Sequence, residues 1–253
     1  MTTQRTADWA GARPPSGPAG AEGLRERKKA QTRQLLSDTA TRMFLDRGFD
    51  AVKVTEIAAA CHVSEKTVYN YFPTKESLIL DRWEATARAL RAQLADAGTH
   101  PVDAAEHILA GELTALASWL DAQPDLAATA ASFRRFGQLM AMTPALRAYQ
   151  QETTAGLVTL AAGLLADRIG GAADDPEPQI AAAGLVGLWG VYFTALRKYL
   201  DGSRTPAGVH DAVTADVAAA ARVLRTGLGP FTVAADTAAA DTAATDTAAM
   251  KDG

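Results

Sequence analysis

Val54, Ile57, Ala58 and Cys61 fall at i, i+3, i+4 and i+7, and a second apolar pair, Val68 and Phe72, follows at i and i+4 after a short break. The first set makes one apolar stripe on a helix, suited to packing against a neighbour. Cys61, His62 and Val63 interrupt the pattern. Ser64 follows, and its hydroxyl can accept from the orphan amides of a first helical turn, so a second helix starts at Glu65. Pro73 closes that helix because proline disfavours the helical conformation of its predecessor, and Thr74 can cap the next helix from Lys75. With Val68 and Phe72 inward, Glu65, Lys66, Thr67, Tyr69, Asn70 and Tyr71 face outward, a surface of donors and aromatics. A support helix joined by a tight turn to a capped, outward-looking helix is the layout of a helix-turn-helix, here over about residues 53 to 72.

Charge is distributed to match. The chain of 253 residues carries a net charge of −4, but residues 1–82 hold 13 Lys/Arg against 10 Asp/Glu and residues 83–253 hold 12 against 19. Arg25, Arg27, Lys28, Lys29 and Arg33 cluster just before or within the first turns of the first helix, placed to meet phosphates or a minor groove. With 48% hydrophobic and 21% charged residues, the chain can bury a substantial core in one or two domains.

The same segment resembles the TetR family of transcriptional regulators. The N-terminal signature of that family is carried by Gly48, Phe49, Val54, Ile57, Ala58, Val63, Ser64, Thr67, Tyr69, Tyr71, Phe72, Lys75, Glu76 and Leu78. The likeness is specific over about residues 25 to 82 and general beyond. Two positions depart from it. Lys53 stands where the family has a capping threonine, and His62 where it has a turn glycine. Lysine still reaches a phosphate but caps poorly, and histidine is among the residues enriched at positive φ.

Along the rest of the chain the pattern is helical with almost no strand signal. Leu36, Ala40, Met43 and Phe44 define a first helix from about Arg27 to Arg47 that ends at Gly48, completing a three-helix headpiece. A long helix from Lys75 to about Ala97 follows. Breaks at Pro, Gly and Asp then bound helices from roughly Val102 to Ala122, Pro124 to Met142, Pro144 to Ile169, Pro176 to Leu200 and Pro206 to Leu228. The expected fold is all-α with about nine helices. The domains are a disordered lead over 1–24, a DNA-binding headpiece over 25–82, a helical effector-binding and dimerisation body over 83–229, and a disordered Ala/Thr/Asp tail over 230–253.

Gln179 to Leu196 runs 18 positions without a charge, the lower edge of a membrane span. The spaced glycines Gly184, Gly187 and Gly190, and Glu177 and Pro178 directly before the run, point instead to a buried interface helix, and no membrane partner is expected. A single cysteine, Cys61, cannot form an internal disulfide, and no secretion signal is visible, so a reduced cytoplasm is expected. His62, His100, His107 and His210 are too scattered to share a metal-ligand spacing, and no metal or cofactor is expected.

Side-chain geometry suggests base readers: Lys66 can donate to guanine, Asn70 can pair with adenine, and Glu65 can accept from cytosine. The resemblance implies that Ser64, Thr67, Tyr69, Tyr71 and Lys75 contact the DNA backbone, with Lys53, Arg27, Lys28 and Lys29 adding charge. It also implies a homodimer on a palindromic DNA operator, paired through the last two helices. Gly184 and Gly187 would permit close approach there, and Val213, Val217, Ala220 and Leu224 would supply the partner seam. The resemblance further implies a small-molecule effector that releases the protein from DNA, acting as an inducer on a repressor. Trp119, Phe133, Phe136, Met140, Trp189 and Phe193 are the candidate pocket residues, with Tyr149 and Tyr192 among the further body aromatics, and Arg134 and Arg135 are placed for an anionic effector. The long helix from Lys75 would couple the two sites. Activation of transcription by the same fold, a helical enzyme, or an adaptor without DNA binding are the alternatives. An enzyme would need a catalytic constellation, and no Gly-rich phosphate loop, HExxH or GxSxG context is present.

Overall fold

Proline at the first helical position opens four helices of this chain, at Pro101, Pro144, Pro176 and Pro206, and glycine just past the last position closes two, at Gly48 and Gly170, because proline lacks only an amide that would be orphaned anyway and glycine reaches the left-handed region without penalty. The computed structural model describes residues 24–80 and 83–227, and among these residues it contains nine α-helices and no strand. They are α1 (Leu24–Arg47), α2 (Val54–Ala60), α3 (Glu65–Tyr71), α4 (Trp83–Leu94), α5 (Pro101–Asp121), α6 (Leu126–Met142), α7 (Pro144–Ile169), α8 (Pro176–Tyr199) and α9 (Pro206–Gly227). Gly48 closes α1 at φ +87° and returns its amide to the Phe44 carbonyl at 2.9 Å. The expected disordered lead, apart from Leu24, and the Ala/Thr/Asp tail lie outside the described residues.

The long helix expected from Lys75 does not form as one piece. Glu76–Leu78 is a 3-10 turn, and α4 begins only at Trp83. The cause is local. The Thr74 amide donates to Ser77 Oγ at 3.2 Å, the Ser77 amide donates to Thr74 Oγ1 at 3.1 Å, and Ser77 Oγ donates to the Thr74 carbonyl at 2.7 Å, closing a compact turn. Ser37 of α1 then donates to the Leu78 carbonyl at 2.8 Å, taking an acceptor that a continuing helix would use itself. At the far end α4 stops at Leu94, where Arg168 of α7 donates to the carbonyls of Leu94 (3.0 Å) and Thr99 (2.9 Å), and also to that of Asp96. The Leu94 carbonyl is one of the orphan acceptors that every helix end leaves, and the other two belong to the connection that follows.

Two cores result. Leu36, Ala40, Phe44, Ile57, Val68 and Phe72 close the headpiece, each fully shielded, and burial of the larger side chains among them, all but Ala40, contributes about 1.5–3 kcal/mol apiece. A larger core fills the body between α4, α5, α7, α8 and α9. The two are joined by more than the covalent chain. Met140 at the end of α6 and Leu146 at the start of α7 are buried in the headpiece core, with Phe136 and Leu139 packed beside them. Tyr149 of α7 extends this elbow, its half-buried side chain set against Thr74 and Ser77 in the turn after α3.

Candidate nucleic-acid interface

The support helix α2 lacks a side-chain cap at Lys53, as the replacement of threonine by lysine requires. Glu56 supplies the other half of a capping box, accepting the Lys53 amide at 2.8 Å while Arg47 pairs with its second oxygen at 2.8 Å. The amide first and Arg47 second hold the Glu56 carboxyl below its ordinary range. The Lys53 side chain is left exposed. His62 sits at φ +56°, the non-glycine residue in the left-handed region that the turn demands. Ser64 then caps α3 by accepting the Thr67 amide at 3.1 Å, and its hydroxyl also lies 2.8 Å from that of Thr67.

On α3, Glu65, Lys66 and Asn70 are exposed, Tyr69 is 44% exposed, and Thr67 is half-buried, while Val68 and Phe72 are fully inward. Arg27, Lys28 and Lys29 are exposed on the opening turns of α1. Three other residues of the expected interface turn toward the protein. Tyr71 is half-buried against the headpiece core, and its carbonyl accepts from Arg33 Nη1 at 2.7 Å. Arg33, counted in the basic cluster, lies 4.4 Å over the Phe72 ring and reaches Glu84 of α4 at 3.4 Å. The Lys75 ammonium donates to the Phe49 carbonyl at 2.6 Å and sits 4.3 Å over the Phe49 ring, and burial lowers its pKa from the ordinary lysine value. Lys75 therefore ties the segment after α3 to the α1–α2 connection.

Residues 36–81 match the profile of the bacterial regulatory proteins of the tetR family, and residues 126–229 match that of the MftR C-terminal domain. The chain belongs to the TetR family. Its headpiece is thus a helix-turn-helix domain of the tetR type. The HTH-type transcriptional regulator TcmR of Streptomyces glaucescens is 36% identical over 92 residues, which cover 36% of this chain and 39% of TcmR. MftR of Mycobacterium tuberculosis, named for transcriptional regulation of mycofactocin biosynthesis, is 26% identical over 173 residues, 64% of this chain and 78% of MftR. The chain therefore spans about two fifths of TcmR and about four fifths of MftR. The crystal structure of Thermus thermophilus FadR, a TetR-family repressor in complex with lauroyl-CoA, shares the helical outline alone, at a TM-score of 0.42 and 24% identity over 78% of this chain and 94% of FadR.

In the body of this TetR-family chain the expected pocket residues divide. Trp119 (7% exposed) and Trp189 (2%) are buried in the body core, and Phe133 and Phe193 pack on it half-buried. Phe136 and Met140 belong instead to the headpiece core, a correction with a simple cause: α6 crosses from one core to the other, so its first turns face the body and its last turn faces α1. Arg134 donates to the Asp201 carbonyl at 3.0 Å and Arg135 to Ser132 Oγ at 3.3 Å, both side chains being exposed.

The expected partner seam is also corrected. Val213 is fully buried and Val217 is 6% exposed inside the single protomer, where they face the body core, and Leu224 packs on that core beside them. A Cβ placed on Gly184 would stand 3.0 Å from Leu224 Cδ2, so this glycine admits α9 of its own chain. Gly187 is open. The unoccupied faces are others. On α8, Ile180 (74% exposed), Ala183, Gly187, Gly190 and Thr194 form one exposed stripe; on α9, Ala215, Ala219 and Val223 (77%) form another. The sequence signal for the second was the spacing i, i+4, i+8 of Ala215, Ala219 and Val223.

Proposed function

We propose that this chain is a repressor that binds a palindromic operator as a homodimer and is released by a small-molecule effector. What carries the reading is the Ser64-capped helix α3, which holds Glu65, Lys66 and Asn70 in solvent on a rigid, internally packed headpiece. Lys66, Asn70 and Glu65 are the base readers, and Ser64, Thr67 and Tyr69, with Lys53, Arg27, Lys28 and Lys29, are the backbone contacts. Tyr71 and Lys75 enter as positioning residues that hold α3 to the headpiece core. The apolar stripes on α8 and α9 support pairing with a second copy, and a two-fold pair presents two α3 helices at half-sites about 34–36 Å apart or a multiple of it. The reduced state of the buried Cys61 fits work in the cytoplasm.

Release follows if the effector binds better to a body conformation that misaligns the headpieces, with a coupling of about 1–3 kcal/mol. The α6–α7 elbow supports that route as well as α4, because Met140, Leu146 and Tyr149 grip the headpiece directly. The test combines sedimentation with a gel shift on the DNA upstream of its own gene, followed by selection of bound fragments from random DNA. A dimer that selects an inverted repeat is expected. A monomer, or retention without sequence preference, would overturn the proposal.

A further inference from the structure

A polar group inside an apolar core normally finds a partner within the protein, since no water is there to replace one. Buried threonine and serine hydroxyls of the body follow that rule. Thr129 donates to the Asp125 carbonyl at 2.8 Å, Ser132 to the Ala128 carbonyl at 3.1 Å, and Thr86 to a Glu112 carboxylate oxygen at 3.2 Å. Trp189 departs from it. This side chain is 2% exposed in the middle of α8, and its indole Nε1 is buried with no hydrogen-bond acceptor. Around it the interior is uncharged: among the described residues no charged side chain is buried, and the buried polar groups besides the indole are serine and threonine hydroxyls and the Tyr192 phenol.

We propose that Trp189 is the recognition residue of the effector site, and that the buried part of the effector is neutral and apolar with a hydrogen-bond acceptor, such as a ketone, ester or ether oxygen, placed to take the indole proton. This rests on the effector reading given above. An ammonium ligand would bring donors to a donor and find no buried carboxylate. A carboxylate ligand would leave its charge in a core without a buried cation, which costs several kcal/mol. A neutral oxygen acceptor satisfies the orphan N–H and needs no counter-charge. Trp119, Phe133 and Phe193 belong to the same apolar core, the last two half-buried and so also in reach of solvent.

Three probes of matched size separate these cases: acetophenone, ethylbenzene and 1-phenylethylamine, the last cationic at neutral pH. They are titrated into the full-length protein carrying 15N-labelled tryptophan, with calorimetry for affinity and the indole N–H signals for geometry. Trp189→Phe assigns the Trp189 signal and removes the donor. Acetophenone should bind about tenfold more tightly than ethylbenzene and move the Trp189 proton signal downfield, with the amine weakest. In Trp189→Phe the ketone preference should vanish while ethylbenzene still binds. Equal affinities for the ketone and the hydrocarbon, a stationary Trp189 signal, or no binding by any probe would each overturn the inference. The first two leave the effector reading standing; that reading falls separately if no compound in a chemical library releases operator DNA. The wild-type affinities for the ketone and the hydrocarbon decide the matter whether or not the variant folds.

Discussion

Replacing Ile180 and Val223 together by aspartate should convert a dimer to a monomer without unfolding it. Both side chains are about three-quarters exposed on the single protomer, at 74% and 77%, so the change removes almost no packing from the fold. In a two-fold interface built from the open stripes of α8 and α9, four such side chains leave water. Full burial of a side chain of this class contributes about 1.5–3 kcal/mol, of which about three-quarters is still to be gained on pairing, so the four together contribute about 4.5–9 kcal/mol. Loss of that contribution weakens dimerisation by about 10³–10⁶-fold even before the repulsion of four carboxylates is counted. Sedimentation velocity over a concentration series measures the shift, and circular dichroism checks that helix content and melting are retained. A variant that stays dimeric within tenfold of the wild-type dissociation constant refutes the assignment of this face.

The remaining predictions concern the headpiece and one titratable cap. Asn70→Ala should change base preference at one operator position, whereas Lys28→Ala should weaken all sequences and lower the salt slope by about 0.9; a uniform loss in both, measured on a base-substituted operator set, would remove Asn70 as a reader. Lys75→Met should leave the salt slope unchanged but cost about 1–2 kcal/mol of stability in urea unfolding, since it deletes a charge-assisted bond to the Phe49 carbonyl that is partly screened by solvent. A normal melt with a reduced slope would mean that Lys75 swings out to a phosphate. His100 caps α5 by accepting the Val102 amide at Nδ1 (3.1 Å), and burial chiefly lowers its pKa from 6.5, with Arg225 and Arg168 adding to the effect against Asp103. Its cap therefore contributes fully above about pH 6.5 and is lost as pH falls below that value. His100→Asn should flatten this part of the stability–pH curve, and an unchanged slope would show that another group sets it.

The headpiece was legible because its signals are local. A serine cap, a proline stop and a residue tolerant of positive φ each act within a few positions, and Ser64, Pro73 and His62 occupy those roles in the fold. The helix starts at Pro144, Pro176 and Pro206 were legible for the same reason. What failed depended on contacts distant in sequence. Nothing near Leu78 announces that Ser37 will take its carbonyl, and nothing near Lys75 announces that the Phe49 carbonyl is in reach. On α9 both sides carry small apolar residues, with Val209, Val213 and Val217 on the buried side and Ala215, Ala219 and Val223 on the exposed one, so periodicity alone did not decide which side faces the chain's own core. The bulkier side went inward, as dense packing favours.

Because Met140 and Leu146 complete a core whose other members belong to the first eighty residues, the reading head is not a detachable module. A chimaera that transplants α1 to α3 onto another regulator's body would leave two sockets unfilled unless the foreign α6–α7 corner offered side chains of the same bulk. Evolution of new ligand responses in this lineage is under the same constraint: the last turn of α6 must keep fitting the DNA-binding end while its first turns are free to change.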